Sequence, residues 1–427
     1  MRFLGKKANL LPRIDALLRA RGLEPPGLFL DPFTGSASVA RHMRQRGWRV
    51  VAGDLMQCAA LQARAALGFG RPPAMSRVLQ APELEEFLRS AEGRAAVQAT
   101  ALPSEALGPQ APHALEEYWP LRAVVAFLNV GAAGAEGLVF RQYSPEGPAG
   151  RGYFTPHNAR RIDGVRAALA AWRRRGLLDE LEATLLSAAL LDAVDRVANI
   201  SGTYGAFLKS WAANALQPFA LAVPFIPAGP VGVALRCDAA ALARRVECQV
   251  AYLDPPYNQR QYPRFFHVLE VLALLESGAN EEEVEADLGG TTGLPRSLLE
   301  DRLSRFCMKR QRGGAGGKPA EEALRELLVG LRARHVVMSY TEEGALDREA
   351  VLGAFSQVFP GFDARRDVQE VERKRFRSDA DRSGREYRRL DGRGRNRVAE
   401  WLIYARRPEP TVLLAGGQRA FAWAAHA

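Results

Sequence analysis

The residues best suited to chemistry are the four at 254–257, Asp-Pro-Pro-Tyr. They follow a short apolar run, residues 248–253, which predicts a buried strand. The two prolines end this strand because neither carries a backbone N–H. A carboxylate, a rigid carbonyl and an aromatic ring are thus presented together at a strand's carboxyl end, where ligands bind in open α/β sheets. The alternative is an ordinary strand-to-loop exit, in which Asp and Pro are also common.

A second pattern, near the N-terminus, predicts a nucleotide-type pocket. A strand over 28–31, a small-residue turn over 32–38, a helix over 39–46 and a strand over 48–52 follow in order, with Asp54 just beyond. This order is the nucleotide-binding half of a Rossmann-like fold. The turn lacks GxGxxG, so a nucleoside-type cofactor without phosphates fits better than a dinucleotide. A plain βαβ unit with a tight turn is the alternative.

Composition limits the class of protein. An apolar content of 47% with 25% charged residues is typical of soluble globular proteins. No apolar run approaches the length of a membrane span, and residues 1–7 lack the apolar core of a signal peptide. We therefore expect a cytoplasmic protein without a membrane partner. The net charge of +10 favours a polyanionic partner. The four scattered cysteines have no metal-site spacing, so we expect small buried residues without a disulfide or metal role.

Three motifs occur in a fixed order: FLGKK at 3–7, DPFTGSA at 31–37 and DPPY at 254–257. Together they resemble the D12-class (α-group) N6-adenine DNA methyltransferases. The resemblance extends over roughly residues 1–407. Softer likeness to the restriction–modification members lies at 153–163, 201–209, 258–270 and 374–376. One departure is Ala37, where many members carry a second glycine, which costs backbone freedom without removing the site.

The resemblance implies S-adenosylmethionine as the cofactor. The cofactor-binding residues that it implies are Phe3, Lys7, Asp31, Phe33, Gly35, Asp54 and Asp238. Phe33 and Gly35 would line the pocket, Asp54 would hold the ribose and Asp238 the adenine amino group. The alternative for Lys7 is a solvated lysine near the terminus, and for Asp238 a cap on the following helix.

The resemblance also implies catalytic roles for Asp254, Pro255, Pro256 and Tyr257. An exocyclic adenine amine is a poor nucleophile because its lone pair is delocalised into the ring. The Asp254 carboxylate and the Pro255 carbonyl would accept its hydrogen bonds and stabilise the positive charge that develops on nitrogen. Tyr257 would stack on the flipped base. Neither a covalent intermediate nor a metal is required. The predicted substrate-binding residues are Asn258, Arg260, Tyr262, Tyr204, Lys209, Lys374 and Arg375.

We expect an α/β fold, with a Rossmann-like methyltransferase sheet and a large, mainly helical insert. The predicted catalytic domain comprises residues 1–66 and 231–410, the insert comprises 67–230, and 411–427 is a tail. The insert occupies the place of the family's target-recognition region.

Within the insert, residues 121–130 are strand-like, 141–154 suggest a hairpin or ordered loop, and 177–197 predict an amphipathic helix. Residues 159–176 predict a basic helix carrying Arg160, Arg161, Arg166, Arg173, Arg174 and Arg175. We expect the last three to neutralise DNA phosphates, and segments 141–154 and 199–211 to set the preferred site. The alternative is a helical scaffold with solvated arginines.

In the C-terminal half, strands are predicted over 231–237, 336–340 and 401–405, and a mobile basic loop over 313–317. We interpret His267 as structural, because nothing pairs it with a nucleophile.

The leading hypothesis is a site-specific adenine-N6 methyltransferase of duplex DNA in a restriction–modification or related defence system. We expect a monomer whose cognate endonuclease, where one exists, acts as a separate protein. The alternatives are an RNA adenine-N6 methyltransferase and a catalytically silent DNA-binding regulator.

Overall fold

The computed structural model describes residues 7–106, 115–257, 261–298, 302–308, 319–374 and 397–408. Within them, seven strands form one sheet, and two strands of two residues each form a separate ribbon. In chain order the strands are β1 (Leu28–Asp31), β2 (Arg49–Asp54), β3 (Val233–Arg236), β4 (Cys248–Leu253), β5 (Leu288–Gly289), β6 (Leu294–Pro295), β7 (Ala333–Thr341), β8 (Val368–Lys374) and β9 (Arg397–Arg406).

The main sheet has the order β3-β2-β1-β4-β7-β9-β8. All pairs from β3 to β7 are parallel, and β9 runs antiparallel to both of its neighbours. Parallel strands bring their carboxyl ends to one edge, and the strand order reverses between β1 and β4, where a crevice opens. Asp31, Asp54 and Asp254 all lie along this edge. The predicted Rossmann-like α/β fold is confirmed.

Helices cover both faces of the sheet. The helices of the described residues are α1 (Leu11–Ala20), α2 (Ser38–Gln45), α3 (Gln57–Leu67), α4 (Pro82–Arg89), α5 (Ala91–Ala99), α6 (Trp119–Val130), α7 (Leu138–Tyr143), α8 (Pro156–Arg174), α9 (Glu180–Arg196), α10 (Ala239–Arg245), α11 (Tyr262–Leu275), α12 (Glu281–Asp287), α13 (Pro319–Gly330), α14 (Arg348–Val358) and α15 (Ala364–Asp367). One core joins α1 and α2 to the sheet, and another joins α10, α13 and α14 to it. No helix among these combines the length and apolar content that a bilayer span requires.

A third core unites the helices of the insert with α3 and α11. Its aromatic centre includes Tyr143, Tyr153 and Tyr204 around His267. The His267 Nε2 lies 3.0 Å from the Thr292 carbonyl oxygen, and burial lowers the pKa of His267 to about 4. His267 is therefore a buried, neutral packing residue, as predicted.

The structure decides two predictions for the insert. Residues 121–130, predicted as a strand, belong to helix α6. This helix is buried on nearly every side, and an apolar run without periodicity does not separate a buried helix from a buried strand. Residues 141–154, predicted as a hairpin or an ordered loop, begin with the end of α7 and continue as turns, which agrees with the loop and not with the hairpin.

The predicted basic helix exists as α8, but most of its arginines bind partners within the protein. Arg166 is buried and forms ion pairs with Asp163, Glu276 and Glu281. Arg173 also binds Glu276, and Arg175 binds Glu83. Arg160 binds Glu136 and Glu146, and Arg161 donates hydrogen bonds to the backbone carbonyls of residues 128, 129 and 132. Arg174 is exposed. These contacts favour the scaffold interpretation over phosphate binding for all of these arginines except Arg174.

Candidate active site

Asp254 leaves the end of β4 with its side chain 18% exposed. Ser339, on the adjacent strand β7, donates a hydrogen bond of 3.2 Å to Asp254 Oδ1. The Ser339 hydroxyl is also 2.8 Å from the Tyr252 hydroxyl, which is buried. Pairing of β4 with β7 thus holds the carboxylate in one orientation. The prolines at 255 and 256 carry no N–H that could compete for it.

Lys7 lies against Asp254, with its Nζ 3.1 Å from Oδ1, and its side chain is 5% exposed. The same ammonium is 2.5 Å from Oε1 of Glu400 on β9 and lies 5.4 Å from the centre of the Tyr257 ring. The alternative of a solvated lysine therefore does not hold. Phe3 lies outside the described residues. Glu400 was not among the predicted site residues, because nothing in its local sequence separates it from other strand residues.

Burial and charge shift the titration of this pair. Burial raises the pKa of Asp254 to about 6, although the Lys7 ammonium opposes the rise. Burial by itself lowers the pKa of Lys7, but the charges of Asp254 and Glu400 outweigh burial and raise it above its ordinary value. At neutral pH the pair is an ammonium beside a carboxylate.

The turn after β1 is tied to the end of β2. The backbone N–H of Gly35 donates to Asp54 Oδ2 at 2.9 Å, and that of Met56 donates to Oδ1 at 2.9 Å. Asp54 is the last residue of β2, two positions beyond the predicted strand end. Gly35 has φ 49° and Ala37 has φ 56°, both in the left-handed region. At Ala37 this conformation costs about 1–2 kcal/mol, and the turn keeps its shape despite the missing glycine.

Asp31 has a buried carboxylate oxygen, Oδ1, for which no hydrogen bond is found within the described residues. The Phe33 backbone and the Thr34 side chain act to lower the pKa of this carboxyl group. Burial, with the charges of Asp254 and Asp54, raises the pKa of Asp31 to about 8. Because orphaned buried polar atoms are costly, they mark a place where a ligand's donor would bind.

A cavity of about 500 Å³ connects these groups. It extends from Lys7 and Asp254 past Phe33 and Gly35 to Asp54 and Asp238, and its lining also includes Arg244, Arg302, Phe306 and Glu326. Its volume lies in the range of small-molecule sites. Asp238 Oδ1 accepts the backbone N–H of Ala241 at 2.9 Å, so it caps α10 as well as lining the cavity. The residues present fit a nucleoside-type cofactor.

One wall of this cavity was missed by sequence reasoning. Arg302 is held there by Glu270, whose carboxylate also accepts the N–H groups of Gln57 and Cys58 at 2.8 and 2.9 Å. Phe306 meets the Phe33 ring edge-on at 5.4 Å. These residues have no motif, and only the fold brings them to the pocket.

The predicted substrate-binding residues divide into three groups. Tyr262 lines the cavity and stacks on Phe266, and Lys209 is exposed on an insert loop. Tyr204 is fully buried, and its hydroxyl donates a hydrogen bond of 3.3 Å to Asp195. Its side chain therefore does not reach a surface where substrate could contact it. Asn258, Arg260 and Arg375 lie outside the described residues, and Lys374 is described only as the last residue of β8.

The sheet and its pocket define a Rossmann-like methyltransferase, and comparison with known proteins specifies the family. Residues 3–279 match the family described as D12 class N6 adenine-specific DNA methyltransferase, and the chain belongs to this family. The resemblance drawn from the three motifs is thereby confirmed.

The relatives are type II methyltransferases or modification methylases by name. The chain is 30% identical over 354 residues to "Type II methyltransferase M.FokI" of Planomicrobium okeanokoites, covering 82% of this chain and 46% of the relative. It is 26% identical over 383 residues to "Modification methylase StsI" of Streptococcus sanguinis, covering 88% and 49%. It is 31% identical over 245 residues to "Type II methyltransferase M.NlaIII" of Neisseria lactamica, covering 57% and 66%. The chain therefore spans about half the length of the first two relatives.

Proposed function

We propose that this chain transfers a methyl group from S-adenosylmethionine to N6 of a flipped-out adenine in duplex DNA, as the modification activity of a restriction–modification system. One observation carries the proposal. Asp254 and Pro256 of the motif line the same cavity as Asp31, Phe33, Gly35 and Asp54. A cofactor in that cavity and a base beside Asp254 would therefore be neighbours.

S-adenosylmethionine supplies the electrophilic methyl group when bound. Phe33 and Gly35 would line its site, Asp54 would accept from its ribose hydroxyls and Asp238 from its adenine amino group. Asp54 retains acceptor capacity, because each oxygen accepts one backbone N–H and a carboxylate has about four lone-pair sites. The unpartnered Asp31 Oδ1 offers an acceptor for the cofactor's ammonium group.

Asp254 presents one oxygen to the protein and one to the substrate. The ion pair and hydrogen bond found for this side chain within the described residues, from Lys7 and Ser339, both involve Oδ1. Oδ2 would accept from the adenine amine, and the Pro255 carbonyl would be the second acceptor. Two fixed acceptors favour a tetrahedral nitrogen and stabilise the charge that develops there.

Tyr257 is held in place for stacking on the extruded base. Its backbone carbonyl accepts the N–H of Ala345 at 2.6 Å, and its ring packs edge-on against Tyr340 with 6.5 Å between centres. Lys7 lies over the same ring. A pre-positioned ring adds a stacking contact with little further loss of side-chain entropy.

Target recognition would fall to the insert, residues 67–230, and chiefly to its loop 199–211. The backbone N–H of Tyr204 in this loop donates to the carbonyl of Phe265 at 2.8 Å. Phe265 belongs to α11, which begins at Tyr262 on the cavity wall. The loop is thus tied next to the pocket, and it exposes Lys209 and Trp211. Segment 141–154 buries Tyr143, Tyr153 and Phe154 and is a weaker candidate for base contacts.

The test is methyl transfer from radiolabelled S-adenosylmethionine to unmodified duplex DNA and to ribosomal RNA, with Asp254→Asn as the control. Modification-sensitive sequencing of the DNA would then report the base and its sequence context. We expect adenine-N6 methylation of duplex DNA at one motif. Transfer to RNA alone would support the RNA methyltransferase hypothesis, and cofactor binding without transfer would support a silent regulator.

We further propose that the protein acts in the cytoplasm as a monomer, with any cognate endonuclease as a separate protein. Light scattering during size-exclusion chromatography, with and without target DNA, tests the oligomeric state. A dimer peak at micromolar concentration would contradict it.

A further inference from the structure

Glu400 is a buried carboxylate on the next-to-last strand of the sheet. It lies on β9, opposite Thr341 of β7 and Val371 of β8, and is 1% exposed. A buried carboxylate costs several kcal/mol unless it is paired, so an apolar residue would serve the sheet better at this position. A role beyond strand packing is therefore to be sought in its contacts.

The partner that it binds reaches the proposed reaction centre. Glu400 Oε1 is 2.5 Å from Lys7 Nζ, and Lys7 Nζ is 3.1 Å from Asp254 Oδ1. The three side chains form a row in which two carboxylates share one ammonium, so the ionised row carries one negative charge. The other titratable groups that act on Asp254 or Lys7 come from neighbouring elements: Asp31 on β1, Tyr252 on β4, Tyr257 after β4 and Tyr262 at the start of α11.

We propose that Glu400 is a positioning residue for methyl transfer: it shares the Lys7 ammonium with Asp254, so that the ammonium orients the Asp254 carboxylate without fully neutralising it as an acceptor for the reacting amine. This inference rests on the proposed function. It assigns to Glu400 no contact with substrate or cofactor.

The physical reason lies in the competition for Asp254. An ammonium paired with Asp254 alone would neutralise most of the charge of that carboxylate. A neutralised carboxylate is a weaker hydrogen-bond acceptor for the amine. Glu400 draws the ammonium to its own side while keeping it ionised. In agreement with this, Glu400 acts to raise the pKa of Asp254, whereas Lys7 acts to lower it.

The experiment compares Glu400→Gln with Glu342→Gln as a matched control. Glu342 is exposed, and its carboxylate accepts the N–H of Ala399, the residue before Glu400, at 3.0 Å. The control therefore removes a carboxylate that follows β7 and contacts β9, without changing a partner of Lys7. Two readouts are needed: the carboxyl titration of Asp254, followed by NMR in the ligand-free protein, and the pH profile of kcat with S-adenosylmethionine and target DNA.

In Glu400→Gln we expect Asp254 to titrate at lower pH and the acidic limb of kcat to move in the same direction. We expect kcat to fall about 10- to 100-fold through misplacement of the acceptor, while KM for cofactor and DNA stays within about threefold. Glu342→Gln should match the wild type in all of these.

An unchanged Asp254 titration in Glu400→Gln would overturn the proposal, even with a lower kcat, because Glu400 would then be structural. If that variant does not fold, Glu400→Asp withdraws the charge by one methylene and should give a smaller shift in the same direction; no shift would overturn the proposal. If the wild type methylates no DNA, the proposed function fails, and the titration still decides whether Glu400 sets the charge of the row.

Discussion

Ser339 donates a hydrogen bond of 3.2 Å to Oδ1 of Asp254 across the junction of β7 and β4. The Tyr252 hydroxyl, 2.8 Å from Ser339, extends this chain into the core of the sheet. The orientation of the proposed acceptor is thus set before any substrate binds. Preorganised polar groups of this kind account for much of the rate enhancement in many enzymes.

Asp254→Asn should reduce methyl transfer by at least about 10²–10³-fold, the cost of losing a preorganised electrostatic contact. Cofactor affinity should stay within about tenfold, because Asp54 and Asp238, rather than Asp254, are the groups proposed to hold the cofactor. Radiolabel transfer and isothermal titration with S-adenosylmethionine measure the two effects. Ser339→Ala is the milder companion, since it removes only the orienting bond. Substantial turnover by Asp254→Asn would contradict the mechanism.

Tyr257→Ala should harm catalysis far more than Tyr257→Phe, because stacking requires a ring and no hydroxyl. Loss of stacking costs about 1–3 kcal/mol per base. The check is kcat/KM on target DNA, together with the fluorescence of 2-aminopurine at the target position as a report of base extrusion. Equal damage from Phe and Ala would show that the hydroxyl takes part in the reaction.

Asp31→Asn should stabilise the ligand-free protein, and increasingly so between pH 4 and pH 8. The pKa of Asp31 is raised from 3.8 to about 8, so the folded state holds the proton of Asp31 more tightly than the unfolded state does. The free energy of unfolding of the wild type therefore falls as the pH rises from about 4 to about 8. The loss is at most about 1.4 kcal/mol per pH unit. The asparagine variant has no such group. Melting temperatures at pH 5 and pH 8 test this, and a gain confined to the lower pH would contradict it.

Arg173→Gln should lower the melting temperature without changing the salt dependence of DNA binding. Arg173 binds the buried Glu276 at 2.9 Å, and its loss leaves that carboxylate with only one of its two arginine partners, Arg166. The control is Arg174→Gln, since Arg174 is exposed on the same helix and its loss should leave stability unchanged. A fall of about 0.9 in the slope of log K against log salt for Arg173→Gln would instead indicate a phosphate contact.

The sequence by itself determined the fold class, the family and the ends of the strands at Asp31 and before Asp254, and it placed the end of the strand at Asp54 to within two residues. These follow from local rules, because a strand, a glycine turn and a proline exit each leave a signature within a few residues. Even the strain at Ala37 was visible, as an alanine at a position where a glycine is usual.

The tertiary structure alone decided which charges meet. The pairing of β9 with β7 brings together Lys7, Glu400 and Asp254. The sequence around Glu400 does not indicate which strand β9 pairs with. The same holds for Arg302 on the cavity wall, for the burial of Tyr204 and for the acids that bind the arginines of α8. Ion pairing and burial depend on contacts between residues distant in the chain, and a local pattern carries no information about distant partners.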